Sequence, residues 1–478
     1  MERISASHGK RALIRVIGYA MFISGNSFIL REPGFLLPDG IIAASGFAYA
    51  IPYISQGACL LAIGFVAISG RGVTRRRLVF LATATIAVGT FCAIAGDESF
   101  LGLDASRLAL AIFGVYAAFS FVSWVSCLVA MDKNEAWMFV ISSAVLASLL
   151  FFGCVAILEL YPNSAFILFL SMSSISIFIQ VRDLDVSKEI EKCGDDNANK
   201  SNPVQFIKQE AFAVLALGVL GLVASVFHSS VSRVPIIATC TIEMVALVCA
   251  GFVLLLAVFV VGAKLDLEKI FLAAFPTVAL LLMLFPFSSG HARLIIMGVS
   301  IALYNVGLIF LLMIAFEIGQ RSQSLLLAKG CYGIFAGVVN VIRPLGYLIP
   351  SLTLGEGGMA EDALLALGCS LLLSLCLLPK RKGKPVGVVK GIKDVEEACE
   401  NVRDCYGLTA RETEILRLIM QGRDVPGIAK QLVISQNTAR THCKRMYKKL
   451  SVHSRQECVD LVMRELAVKC QDVVYIRG

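Results

Sequence analysis

Residues 408–466 read LTARETEILRLIMQGRDVPGIAKQLVISQNTARTHCKRMYKKLSVHSRQECVDLVMREL, and their helix caps are visible in the letters. Thr409-Ala410-Arg411-Glu412 has the spacing of a capping box, in which a hydroxyl and a carboxylate satisfy free backbone donors reciprocally. It opens an amphipathic helix with apolar positions at Ile415, Leu416, Leu418 and Ile419, and Gly422 ends it. Asp424 caps a short second helix carrying Ile428, Ala429 and Leu432. Ser435 caps a third that runs to about Leu450, and a second capping box, Ser454-Arg455-Gln456-Glu457, starts a fourth. A short helix, a tight turn and a longer helix form the helix-turn-helix pattern.

Charge singles out the third helix. From Val425 to Gln456 there are seven basic residues (Lys430, Arg440, Lys444, Arg445, Lys448, Lys449, Arg455) and no acid. Arg440, Lys444 and Lys448 recur at i, i+4, i+8, which places them along one face, with Thr441 beside them and Met446 and Leu450 turned to the core. A solvated basic helix would show the stripe alone; caps, turn and stripe together point to double-stranded DNA. From Lys380 to Gly478 there are 20 Lys/Arg and 12 Asp/Glu, so the whole net charge of +8 belongs to this end of the chain. That asymmetry implies a polyanionic partner or anionic lipid head groups.

The rest of the 478 residues is of another kind. The chain is 57% apolar and 16% charged, outside the range of soluble proteins. Apolar stretches long enough to span a bilayer are expected near 12–30, 42–68, 78–96, 108–130, 137–158, 163–180, 211–228, 236–262, 270–287, 294–317, 325–349 and 361–378. The sequence therefore predicts an all-α chain: a polytopic bundle of twelve helices in 1–378, a basic linker over 379–403, and a small four-helix DNA-binding domain over 404–478. With an even number of spans, both termini share a side. Loops on that side sum to 16 Lys/Arg before the basic exit Lys380-Arg381-Lys382, against four opposite (Arg31, Arg107, Arg233, Arg293). By the positive-inside rule both termini are cytoplasmic, as a DNA reader requires, and the expected location is the bacterial inner membrane, multi-pass.

A polar loop at 181–210 divides the spans into two sets of six of nearly equal length. Two six-helix halves joined by a long cytoplasmic loop resemble the major facilitator superfamily. That family's basic signature between spans two and three is matched here by Gly70-Arg71-Gly72-Val73-Thr74-Arg75-Arg76-Arg77, without its acidic partner. The departure counts against an alternating-access cycle. Polar groups at membrane depth are costly and mark candidate sites. Asn26, Gln56, Glu243, Asn305 and Arg343 are the expected lining of a cavity for an unknown small ligand, with Arg343 pairing an anionic group or Glu243. Arg15, Glu317 and Lys329 fall near inner ends, where ion pairing or snorkelling is expected.

The C-terminal stretch resembles the LuxR-type helix-turn-helix family. The match rests on Leu408-Thr409, Arg411-Glu412, Leu416, Gly422, Ile428-Ala429, Leu432, Ser435, Thr438, His442, Tyr447-Lys448-Lys449-Leu450 and Val452. In that family the third helix enters the major groove. The resemblance implies base contacts from Arg440, Thr441 and Lys444, and phosphate contacts from Asn437, Thr438, Arg445, Lys448 and Arg455. It also implies a homodimer through the last helix, about Gln456 to Leu466, with RNA polymerase as a further partner. Two residues depart from the pattern: Gly427 replaces an acid, and Ala439 replaces a valine.

These readings converge on a membrane-bound one-component transcription regulator whose membrane domain senses a small ligand or membrane state. The rival is a major-facilitator-like secondary transporter with a regulatory DNA-binding tail. An enzyme is not expected, since there is no P-loop, GxSxG or HExxH pattern, and no CxxC pair for structural zinc. No cofactor is implied. Cys405, Cys443, Cys458 and Cys470 are expected as free thiols in a reducing cytoplasm.

Overall fold

The computed structural model describes residues 2–31, 46–71, 74–95, 99–100, 103–161, 164–194, 203–230, 291–322, 324–352, 392–420, 425–432, 434–450, 452, 457–458 and 461–462, with isolated positions between 241 and 284. The chain divides into two compact units, Met1–Lys380 and Arg381–Gly478.

The first unit contains α1 (Glu2–Arg31), α2 (Gly46–Ile68), α3 (Arg75–Ala95), α4 (Ala105–Val129), α5 (Lys133–Leu160), α6 (Ala165–Gly194), α7 (Pro203–Ser230), α8 (His291–Ser322), α9 (Leu325–Ile342) and α10 (Leu345–Leu352). A two-residue antiparallel pairing, β1 (Ser99–Phe100) with β2 (Leu103–Asp104), links α3 to α4. Among the described residues, eight helices (α2 to α9) are long and apolar enough to cross a membrane. The expected first span lies within α1. The expected spans at 236–262, 270–287 and 361–378 lie largely or wholly outside the described residues. Phe80, Phe91, Ile94, Ile167 and Phe178 are exposed on the outside of the bundle. Water would penalise that surface, whereas lipid does not.

Lipid provides no hydrophobic drive between helices, so close packing must hold them together. The α2–α9 crossing shows how. Gly57 and Gly64 face Gly330, Gly333 and Gly337, and a Cβ on Gly333 would lie 2.7 Å from the Leu60 carbonyl oxygen. α1 packs against α5 and α6, and α4 against α2 and α3. Tyr19 anchors the α1 contact, its ring 5.4 Å from Trp124 and 5.3 Å from Phe139. Each such aromatic pair adds about 0.5–1.5 kcal/mol beyond area burial.

One element departs from expectation. The loop predicted over 181–210 is largely helical, because α6 runs on to Gly194 and α7 starts at Pro203. Asp183 supplies the reason for α6. Its carboxylate accepts from Arg15 Nη2 (2.9 Å), Arg75 Nη1 (2.9 Å) and the Cys127 thiol (3.2 Å), tying α6 to α1, α3 and α4. A polar turn held this way continues the helix instead of leaving it. Proline suits the first turn of α7, where its missing N–H costs nothing. Glu317, another expected inner-end residue, pairs with Arg321 at 2.9 Å, and Lys329 is buried.

The second unit contains α11 (Ile392–Tyr406), α12 (Ala410–Met420), α13 (Val425–Gln431) and α14 (Gln436–Lys449). Its core is Cys399 and Val402 from α11, Ile415, Leu416, Leu418 and Ile419 from α12, Ile428 and Ala429 from α13, and Ala439, Cys443 and Met446 from α14. Leu408, Leu450, Val452, Cys458 and Val462 close it. α11 occupies part of the stretch expected as linker and belongs to this core. It ends at Gly407, whose φ of +63° lets Leu408 N–H reach back to the Arg403 carbonyl (3.0 Å) and turn the chain into α12. Burial pushes the Cys458 thiol up to about 12 and raises Cys443, so both stay neutral near pH 7.

Candidate functional site

The exposed basic surface of the second unit is built from α12 outward. Thr409 Oγ1 accepts the Glu412 N–H (3.3 Å), and Glu412 Oε2 accepts the Thr409 N–H (2.9 Å), so the capping box forms. Glu412 also takes Lys449 Nζ at 2.7 Å, which staples the end of α14 to the start of α12. Burial alone would raise the Glu412 carboxyl, but the hydrogen bonds from Lys449 and Thr409 outweigh it and hold the carboxyl below its ordinary value. Arg411 donates to Glu414 (2.7 Å) and to the Leu432 carbonyl (3.0 Å), fixing the turn after α13. Arg417 of α12 bonds Glu400 of α11. Ser435 Oγ accepts the Thr438 N–H (3.1 Å) and caps α14.

This scaffold buries Ala439, Cys443 and Met446 and turns the other side of α14 to solvent. Asn437, Thr438, Arg440, Thr441, Lys444, Arg445 and Lys448 are all exposed. Among the described residues no ion pair engages Arg440, Lys444, Arg445 or Lys448. The basic stripe is therefore presented, while Lys449, next to it in sequence, is used internally. Arg455 lies outside the described residues, as does most of the expected dimer helix, of which Cys458 and Val462 are buried in the core.

In the first unit, Asn26, Gln56, Asn305 and Arg343 line one cavity. Glu243 lies outside the described residues. The wall is mainly apolar, with aliphatic side chains such as Ile23, Leu308 and Val339 and the rings of Tyr19, Tyr53, Phe121, Tyr304 and Tyr332. The Arg343 guanidinium sits between two of them, 4.4 Å from the Tyr53 ring centroid and 4.7 Å from that of Tyr304. Its Nε donates to Ser225 Oγ (3.3 Å) and its Nη1 to the Tyr304 hydroxyl (3.2 Å). Sequence reasoning missed these partners, because tyrosines at 53 and 304 and a serine at 225 carry no local signal of convergence.

Residues 407–462 match the model of bacterial regulatory proteins of the LuxR family. The chain is similar to the spore germination protein GerE of Bacillus subtilis, 37% identical over 57 residues that make 12% of this chain and 77% of that one. The chain belongs to the LuxR family. It is also similar to the probable transcriptional regulatory protein NarL of Mycobacterium tuberculosis, 41% identical over 58 residues, which is 12% of this chain and 27% of that protein's length. Among solved structures it is similar to a bacterial homologue of the iron transporter ferroportin in its outward-facing state, with 15% identity, 76% of this chain and 97% of that chain covered, and a TM-score of 0.48. At that score the likeness says nothing of substrate. The LuxR-family domain is therefore a DNA-binding regulator domain, carried on a chain that has eight membrane-length helices among its described residues.

Proposed function

We propose that this LuxR-family protein is a membrane-embedded one-component transcription regulator. In this reading a small ligand occupies the cavity lined by Asn26, Gln56, Asn305 and Arg343, with Glu243 as a further contact, and biases the membrane unit between two conformations. The tail responds by dimerising through its last helix or by gaining access to its operator and to RNA polymerase. Arg440, Thr441 and Lys444 read bases; Asn437, Thr438, Arg445, Lys448 and Arg455 hold phosphates. Both termini lie in the cytoplasm and the membrane is the bacterial inner membrane. The observation that carries the reading is the exposed basic face of α14, without an ion pair among the described residues, in the same chain as a cavity with polar side chains among membrane-length helices. Such coupling requires a ligand with different affinities for the two states.

A promoter–reporter strain tests it. Regulation should require both the membrane unit and Arg440 with Lys444. A soluble fragment from Lys390 onward that regulates as well as the intact chain would remove the sensing role. Uptake of a solute into proteoliposomes, lost on changing Arg343, would favour a transporter with a regulatory tail instead.

A further inference from the structure

The cavity specifies more than a place for a ligand. Among the described residues that line it, Arg343 is the one charged side chain. A guanidinium stays protonated in proteins, and a positive charge drawn partly out of water without a counter-ion is costly. Tyr53, Tyr304 and Ser225 orient it but carry no negative charge, and no acidic side chain pairs with it among the described residues. The cavity also holds buried acceptors with no hydrogen-bond partner among the described residues: Asn26 Oδ1 and Gln56 Oε1, on side chains 7% and 1% exposed. Asn340 differs, since its Nδ2 is used on the Ala336 carbonyl one turn back (2.8 Å).

We infer that the cavity takes a small organic anion that also carries N–H or O–H donors, its charged group on Arg343 and its donors on Asn26 and Gln56. The inference rests on the reading of the membrane unit as a sensor and names the chemistry of what it senses. Charge-assisted hydrogen bonds to a guanidinium supply the affinity. The apolar wall, with its five aromatic rings, suits a small flat or apolar body. Arg343, Tyr304 and Ser225 lie on or beside α7 to α9, whereas Asn26, Tyr53 and Gln56 lie on α1 and α2. One ligand then touches both sets of helices, so its affinity changes if they move apart.

The test uses the full-length protein in lipid nanodiscs. Its thermal stability is read against 4-aminobenzoate and indole-3-acetate, each beside its uncharged primary amide. The carboxylates should raise the melting temperature and the amides should not. Arg343→Gln should abolish the shift or weaken binding about tenfold or more, Arg343→Lys should be intermediate, and Gln56→Leu should weaken binding while keeping the preference for carboxylate over amide. If Arg343→Gln fails to fold, Gln56→Leu and the carboxylate–amide pairs on the unmodified protein decide the matter. Carboxylate binding that appears in Glu243→Gln and is absent from the unmodified protein would make Glu243 the internal counter-ion and overturn the inference. So would amides that stabilise as well as carboxylates, or no stabilisation by either carboxylate. A promoter response confined to neutral compounds would overturn the inference and leave the sensor standing. A promoter indifferent to the membrane unit would end the sensor reading even if carboxylates bound.

Discussion

Both units of this chain carry positive charge without an acidic partner among the described residues, and they treat it in opposite ways. On α14 the cations stand in water, where hydration makes an unpaired Arg440 or Lys444 nearly free of cost. Their spacing makes them additive, and such a row suits a long polyanion whose counterions are released on binding. Arg343 is a single charge inside the bundle, framed by two aromatic faces and a hydroxyl. Charge in a confined, partly desolvated site is more costly and more selective, so it suits one small group. Lys449 and Arg15 show the third possibility, in which the chain supplies the carboxylate itself and the cation becomes structural.

The comparison breaks most severely if the membrane frame fails. Gly333→Val places side-chain carbon against the α2 backbone, where a Cβ alone would sit 2.7 Å from the Leu60 carbonyl oxygen. Backbone cannot yield as a flexible side chain does, so a loss of roughly 3 kcal/mol is expected. Yield of monodisperse protein in detergent should collapse, while the purified tail unit still binds promoter DNA.

Next in size is the difference between reading and holding on α14. Arg440→Ala should lower the preference for one base position by roughly 1–3 kcal/mol. Lys448→Ala should weaken all sequences alike and reduce the slope of log affinity against log salt by about one. Titrations of operator and random duplex over a range of salt separate the two, and the reverse pattern would remove α14 as the reader.

The smallest expected effect concerns the internal cation. Glu412 is held below its ordinary value of 4.5, so its contribution is fully present above that pH and is lost as pH falls through the depressed value. Thermal melts of the tail unit should show stability falling below about pH 4.5. Glu412→Gln keeps the capping pattern but loses the ion pair. It should cost at most about 1 kcal/mol at pH 7 and flatten that acidic limb.

Much of the tail was legible because its determinants are local. A capping box spans four residues, a helix face repeats every three or four, and both Thr409–Glu412 and the Arg440–Lys444–Lys448 stripe are found where those rules place them. The membrane unit was legible in outline for the same reason, since hydropathy over one span is a local sum. The run of α6 past residue 180 was not, because Asp183, just beyond the expected span, is held by Arg15 and Arg75, 168 and 108 residues away. The helix α11, read as linker, belongs to the tail's core through Cys399 and Val402, a fact of packing that its charged composition concealed.

By itself, the sequence determined an all-α membrane chain with a LuxR-type reader at its end, because periodicity, caps and charge balance act over a few residues. Tertiary structure decided which cations remain unpaired. Lys448 and Lys449 are neighbours of the same type, yet one is open to solvent and the other is bound to Glu412, 37 residues earlier. Arg343 likewise acquires its meaning from Tyr53, Ser225 and Tyr304, which meet it in space because helices distant in sequence cross there. Pairing depends on distance between side chains, and distance across a folded bundle is not a local property of the chain.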